Sequence, residues 1–352
     1  MNSLSLNKQV STLIVGAVII ALRIETPTAA STFNPDPIFD NTASYSTNIP
    51  RSEGGKDAAD IYYPVLPNNA SQHSSLPVAL LLQGALVDKS DYSNFASTVA
   101  SYGFVVVVPN HIRTLTNQEG SVTGLFAEQQ QINDVLNYTK AENSNSLSPV
   151  ADLLDPSTLV LLGHSFGGAV GLSAIEGKCF PTLCTGQFKQ PKELKGGIFY
   201  GTNFISPLDN NGLPTALVQG SLDGVATPDE AKSTYAGIQA PPKALITVLG
   251  ANHYGITNED NPRRDTVSPT LEQDVATETI ARSSALFLRG TVLNDTKALD
   301  YVFNAGETLD KNVNVVYEAK PVPEPTSAIS LLGLGAIGVG AWSRQRKNLE
   351  RG

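Results

Sequence analysis

Leu159-Val160-Leu161-Leu162-Gly163-His164-Ser165-Phe166-Gly167-Gly168 decides the architecture. The apolar run Leu159–Leu162 suits a strand buried on both faces of a parallel sheet. Residues Gly167–Glu176 suit a helix, and between the two lies a G-x-S-x-G. The glycines flank Ser165 because a sharp strand-to-helix turn crowds its neighbours, and a larger side chain at either place clashes. Such a turn lifts the serine hydroxyl above the sheet edge. It also sets it beside a helix N-terminus, whose partial positive charge favours a developing oxyanion. A bare G-x-S-x-G also arises as an ordinary tight turn; the strand before it and the helix after it give this one its chemical reading.

The same alternation runs outward along the chain. Val78–Leu82 and Phe104–Val108 are continuous apolar runs stopped by turn signals, and Ile61–Pro64 is a short β-rich piece ended by proline. Between them, Asp91–Tyr102 sets Phe95, Val99 and Tyr102 at helical spacing. Phe126–Tyr138 suits a helix, and Gly197–Tyr200, Ala216–Gln219 and Ala244–Leu249 suit strands. Leu271–Leu288 is a long closing helix. Strands and helices alternating over about 240 residues predict an α/β fold, a mostly parallel central sheet with helices on both faces. The catalytic domain is expected over residues 58–302, preceded by a polar lead-in segment, 31–57, and followed by a polar linker, 303–322.

A serine hydroxyl is a poor nucleophile until a base takes its proton. The chain has four histidines, His73, His111, His164 and His253, and only His253 follows Ser165. It lies in Gly250-Ala251-Asn252-His253-Tyr254-Gly255, directly after the Ala244–Leu249 strand. A base of this kind needs an acid to orient it and to stabilise its imidazolium. Asp209, Asp223 and Asp229 lie between the two. Asp223 follows the Ala216–Gln219 strand, whereas a turn explains Asp209 and a helix start explains Asp229. Ser165, Asp223 and His253 thus all fall just past the carboxyl ends of parallel strands, where such sheets place their sites. The expected oxyanion donors are the backbone N–H of Phe166, next after the nucleophile, and that of Ala85, in the loop Gln83-Gly84-Ala85-Leu86. Of the other histidines, His111 is open between a pocket wall and a solvated loop, and His73 reads as structural or exposed. Tyr62-Tyr63 reads as packing.

Composition limits the alternatives. The 352 residues carry a net charge of -9, and charged residues make up 16%, below the roughly 25% of an average soluble domain. The acidic balance argues against nucleic-acid binding, which needs clustered Lys and Arg. Cys179 and Cys184 are too few for a disulfide-built scaffold; they read as one small disulfide, with free thiols as the alternative. The Cys179–Leu194 insertion could cap the pocket.

Both ends read as addresses. Lys8, the apolar run Leu13–Leu22 and the small residues Thr28-Ala29-Ala30-Ser31 make residues 1–30 a secretory signal peptide, against a buried helix. Pro323-Glu324-Pro325, the apolar stretch Ala328–Trp342 and Arg344-Gln345-Arg346-Lys347 resemble, in their order, the PEP-CTERM sorting tail. The resemblance implies a membrane protease that cuts near the Pro-Glu-Pro motif after export. It also implies passage through a membrane by the 323–352 segment, whose basic end stays cytoplasmic until cleavage. A permanent anchor is the competing reading. The expected location is the cell surface, the outer membrane or the medium.

Leu80-Leu81-Leu82-Gln83-Gly84, Ser101-Tyr102-Gly103 with Phe104–Pro109, and Gly163–Gly168 together resemble the chlorophyllase branch of the α/β-hydrolases. Its relatives include dienelactone hydrolases, platelet-activating-factor acetylhydrolases and cutinase-like polyester hydrolases. The resemblance implies a carboxylic-ester hydrolase with the α/β-hydrolase fold, no metal and no organic cofactor, acting on a small-molecule or polymeric ester. Gln83 and Phe166 depart from the pattern of chlorophyllases, so chlorophyll is not implied as the substrate. A thioesterase or peptidase with the same residues, and a non-catalytic surface-binding protein that keeps the fold, are the alternatives.

Overall fold

The computed structural model describes residues 35–320, apart from 68–74, 118–119, 187, 205–206, 306–307 and 309. The expected signal peptide, the sorting tail and His73 therefore lie outside the described residues. In chain order the elements begin with strands β1 (Thr42–Pro50), β2 (Lys56–Pro64) and β3 (Leu76–Leu82), then helix α1 (Ser93–Ser101) and β4 (Val105–Asn110). Strands β5 (Ile112–Asn117) and β6 (Gly120–Leu125) precede α2 (Gln130–Asn143), β7 (Leu154–His164), α3 (Phe166–Glu176) and β8 (Leu194–Tyr200). The chain continues through β9 (Thr215–Gly220), α4 (Pro228–Gly237), β10 (Lys243–Val248), α5 (Gln273–Val292), α6 (Thr296–Asp300) and β11 (Val313–Glu318).

Nine strands form one sheet in the order β1-β2-β4-β3-β7-β8-β9-β10-β11, and β5 and β6 pair separately. The six strands from β4 across to β10 are parallel; at the edges β2 pairs antiparallel with β4, β1 antiparallel with β2, and β11 antiparallel with β10. Burial explains the continuous apolar runs. Val78, Leu80 and Leu82 of β3 join Val135 of α2, Ile175 of α3 and Ala231 of α4 in one apolar cluster. Alternate strand residues point the other way, and there Ala79 and Leu81 are equally buried. That second face is left to α1 and α5, which pack on each other and bury Phe95, Val99, Ile280 and Phe287. The sheet carries helices on both faces.

Two segments differ from expectation. The lead-in segment 31–57 contains β1 and the start of β2, joined in continuous register from Thr42–Pro64 to Pro50–Lys56. The 303–322 linker contains β11, which pairs with β10 from Lys243–Glu318 to Val248–Val313. Both are edge strands with one face toward solvent, so neither needs the apolar runs that mark the central strands. The sheet accordingly extends beyond both ends of 58–302.

Candidate active site

Strand β7 ends at His164 and α3 begins at Phe166, leaving Ser165 as the turn between them with φ 53° and ψ -119°. A non-glycine residue held at positive φ costs on the order of 1–3 kcal/mol and persists only where its surroundings fix it. Here β3 and β8 flank β7 on both sides. The Ser165 N–H donates to the Tyr200 carbonyl at 2.9 Å, and the Ala169 N–H donates to the Ser165 carbonyl at 3.1 Å. The glycines are needed for close approach: a Cβ at Gly167 would stand 2.1 Å from the Leu82 carbonyl oxygen, and one at Gly163 2.9 Å from that of Gly167.

Asp223 and His253 meet. His253 Nδ1 lies 3.0 and 2.9 Å from the two carboxylate oxygens, and both side chains are buried. Oδ1 of Asp223 also accepts the N–H groups of Val225 at 2.9 Å and Ala226 at 2.8 Å, so the carboxylate is pinned by its own loop. With Nδ1–H donated to Asp223, the lone pair of His253 is on Nε2. Among the described residues no hydrogen bond joins Ser165 Oγ to His253. The two are nevertheless brought to one place, because His164, beside Ser165, donates Nε2–H to the His253 carbonyl at 3.0 Å. Free enzymes often close the serine–histidine bond only when substrate is bound.

Gly201 follows Tyr200 with φ +55°, and a Cβ there would lie 2.9 Å from Asp223 Oδ2 and 3.0 Å from His253 Nδ1. Gly201→Ala is expected to push Asp223 and His253 apart and, if they act together, to lower kcat at least about tenfold, since small displacements of reacting groups are costly. Ester turnover measured beside circular dichroism checks this; full activity in a folded variant refutes it.

Both expected oxyanion donors are unclaimed. The Phe166 N–H is the first of α3, where a helix offers its amides no intrahelical acceptor. In the loop after β3, the N–H of Gly84 goes to Tyr92 Oη, that of Leu86 to the Leu125 carbonyl and that of Val87 to the Gly84 carbonyl. Among the described residues the Ala85 N–H has no protein acceptor. The Ala85 carbonyl is fixed instead by Arg264 Nη1 at 2.7 Å.

Several residues around this site carry no signal in the sequence. Buried Asp265 accepts the His253 N–H at 2.9 Å and the Gly224 N–H at 3.2 Å, tying the His253 loop to the Asp223 loop. Tyr200 donates its hydroxyl to the Asn252 carbonyl. Its own proton is held well above the usual phenol range, by burial first and then by Asp223 and Asp265. Asn258 binds the Asp91 carbonyl through its N–H at 2.7 Å and the Ser90 carbonyl through Nδ2 at 2.8 Å. All of these contacts run to or from main-chain atoms, which no residue spacing reveals.

The remaining sequence candidates fall into place as supports. His111 is buried against Asp57 at 2.9 Å, and Arg51 Nε reaches the same carboxylate at 2.6 Å, so this histidine is not in a solvated loop. Tyr63 packs edge-on against Tyr45, and Tyr62 is buried. Cys179 and Cys184 form a disulfide. Its loop reaches toward the Ser165 turn, because the Thr182 carbonyl accepts Arg113, whose guanidinium lies 5.7 Å from the Phe166 ring centre. Among the described residues no group of three or more His, Cys, Asp or Glu is arranged to hold a metal ion, and no helix is long and apolar enough to cross a membrane.

A parallel sheet flanked by helices, with a strained serine between strand and helix and a histidine–carboxylate pair at neighbouring strand ends, defines an α/β-hydrolase. Residues 25–316 match the family described as PET hydrolase-like, and the chain belongs to that family, one of hydrolases acting on esters. Residues 321–347 match the PEP-CTERM protein-sorting motif, which marks the chain for export and C-terminal sorting to the cell envelope. No curated protein matches the chain. The likeness to the chlorophyllase branch remains a resemblance.

Proposed function

We propose that the protein is an exported serine esterase that works through an acyl-enzyme. Ser165 Oγ attacks the ester carbonyl while His253 Nε2 takes its proton, and Asp223 holds the ring and balances the imidazolium. The amides of Phe166 and Ala85 receive the oxyanion. His253 then protonates the leaving alcohol. Water, activated by the same nitrogen, releases the acid. The observation that carries this reading is the buried Asp223–His253 pair, with Nε2 as the free nitrogen, at the turn that presents Ser165. A binding protein has no need of that pair or of two unclaimed amides.

For the substrate, the mouth of the site favours an apolar or polymeric carboxylic ester. Leu86, next to Ala85, Val225, two residues after Asp223, and Val267, packed beside Gly224, are exposed. Exposed aliphatic groups around a polar centre suit a surface laid against it rather than a small charged molecule. A fluorophosphonate is the direct test. It should label one site per chain, on Ser165, and block hydrolysis of p-nitrophenyl butyrate. An unlabelled, folded protein excludes the serine mechanism and favours the binding reading.

The domain boundaries carry a second expectation. Residues 1–30 serve export, and a membrane protease removes the chain after roughly Pro325, leaving the enzyme at or beyond the outer membrane. Replacing Pro323-Glu324-Pro325 with three alanines should leave export intact and trap a longer, membrane-bound form. Intact-mass measurement on protein from a host with the sorting system decides this; a native product that still carries Ser343–Gly352 means a permanent anchor.

A further inference from the structure

The proposed mechanism leaves unused a fully buried pair beside the site, Tyr92 and His164. The Gly84 N–H lies 2.9 Å from Tyr92 Oη, Tyr92 Oη lies 2.9 Å from His164 Nδ1, and His164 Nε2 lies 3.0 Å from the His253 carbonyl oxygen. These bonds fit one proton arrangement. A carbonyl only accepts, so Nε2 carries the proton. Nδ1 is then the acceptor, the Tyr92 hydroxyl donates to it, and the hydroxyl oxygen receives the Gly84 N–H.

A protonated His164 would reverse this chain at Tyr92, because Nδ1 could no longer accept and the Tyr92 hydroxyl proton would lose its partner. Burial, and after it the charge of His253, hold His164 well below the usual histidine range. Neutrality also suits the chemistry. The His253 ring, which carries the positive charge during catalysis, lies 4.9 Å from that of His164 between ring centres. A second cation there would oppose it.

The chain of bonds touches three parts of the site. Gly84 precedes Ala85, the second oxyanion donor; His164 precedes the nucleophile; and the His253 carbonyl belongs to the base itself. We infer that Tyr92 and His164 are positioning residues that hold the oxyanion loop, the nucleophile turn and the base loop in a single register. The inference rests on the serine-esterase reading. Neither residue touches the substrate. They act through the placement of others, and misplacement of reacting groups by about 1 Å costs on the order of a hundredfold.

Tyr92→Phe tests this, because it keeps the buried ring and deletes only the oxygen. The kcat for p-nitrophenyl butyrate, per fluorophosphonate-titrated site, should fall roughly 10- to 100-fold with KM held within about threefold. Loss of the oxygen strands the Gly84 N–H and His164 Nδ1, so the variant can fail to fold. His164→Gln is therefore made beside it; its amide still offers a donor to the His253 carbonyl but no acceptor at the place of Nδ1. It should show the same split between kcat and KM. Where both single variants fold, the double variant should be no worse than about the poorer single one, as for residues that act as a unit.

Folded variants with wild-type kcat per titrated site and only a lowered Tm would reduce the pair to packing and overturn the inference. Fully additive losses in kcat would do so as well. Those outcomes leave the esterase reading standing, since the wild type is still labelled. An unlabelled wild type removes that reading and the inference together.

Discussion

Ser165→Ala is expected to abolish ester hydrolysis and to leave the fold almost unchanged. The turn is held by main-chain bonds, from the Ser165 N–H to the Tyr200 carbonyl and from the Ala169 N–H to the Ser165 carbonyl, and alanine keeps both. Ser165 is partly exposed, and among the described residues its hydroxyl makes no hydrogen bond, so its removal strands no buried partner. The φ of 53° is as tolerable to alanine as to serine. Activity is another matter, because the bond to the substrate carbonyl can no longer form. Loss of one member of such a triad typically lowers kcat by about 10⁴- to 10⁶-fold, the remainder coming from oxyanion stabilisation and binding. Turnover of p-nitrophenyl butyrate beside a thermal melt measures both halves. A folded variant with wild-type turnover would end the assignment of Ser165.

How much of this was legible follows from what each residue must satisfy. Leu159–Leu162 and Val78–Leu82 are buried on both faces, so every position is apolar and the runs stand out. The edge strand β1 is held mainly by backbone pairing to β2, and its side chains alternate toward solvent, so Thr42-Ala43-Ser44-Tyr45 reads as a loop. The hairpin of β5 and β6 is more opaque. Its cross-strand partners include Thr114 with Thr123 and Thr116 with Ser121, hydroxyl pairs with no apolar periodicity. In the proposed site, Ser165, His253 and Asp223 are singled out by the sequence because chain order and strand ends restrict the candidates. Asp265 is not, because it works through the main-chain amides of Gly224 and His253, which are far apart in sequence. His164 was visible as the residue before Ser165, but its bonds to Tyr92 and to the His253 carbonyl depend on how three loops converge.

The second large effect belongs to the acid–base pair. His253→Ala should be as damaging as Ser165→Ala, with a fall in kcat of about 10⁴- to 10⁶-fold, because no other histidine among the described residues is free to take the Ser165 proton. His164 is no substitute: its Nε2–H is committed to the His253 carbonyl and its Nδ1 to Tyr92. Nor is His111, which is tied to Asp57. Asp223→Asn should be milder, on the order of 10⁴-fold, and for a specific reason. The asparagine amide can donate to Nδ1, which moves the histidine proton to Nε2 and leaves no lone pair facing the serine. Part of the population keeps the working tautomer by pairing Nδ1–H with the asparagine oxygen instead. The two loops stay joined through Asp265, which holds the N–H groups of Gly224 and His253 whatever residue stands at 223. KM should therefore change little. The Ser165/His253 double variant should lose little beyond either single one, because a base without its nucleophile has no proton to take. Losses that multiply in the double variant would show the two residues working independently, and a base other than His253 would then have to be found.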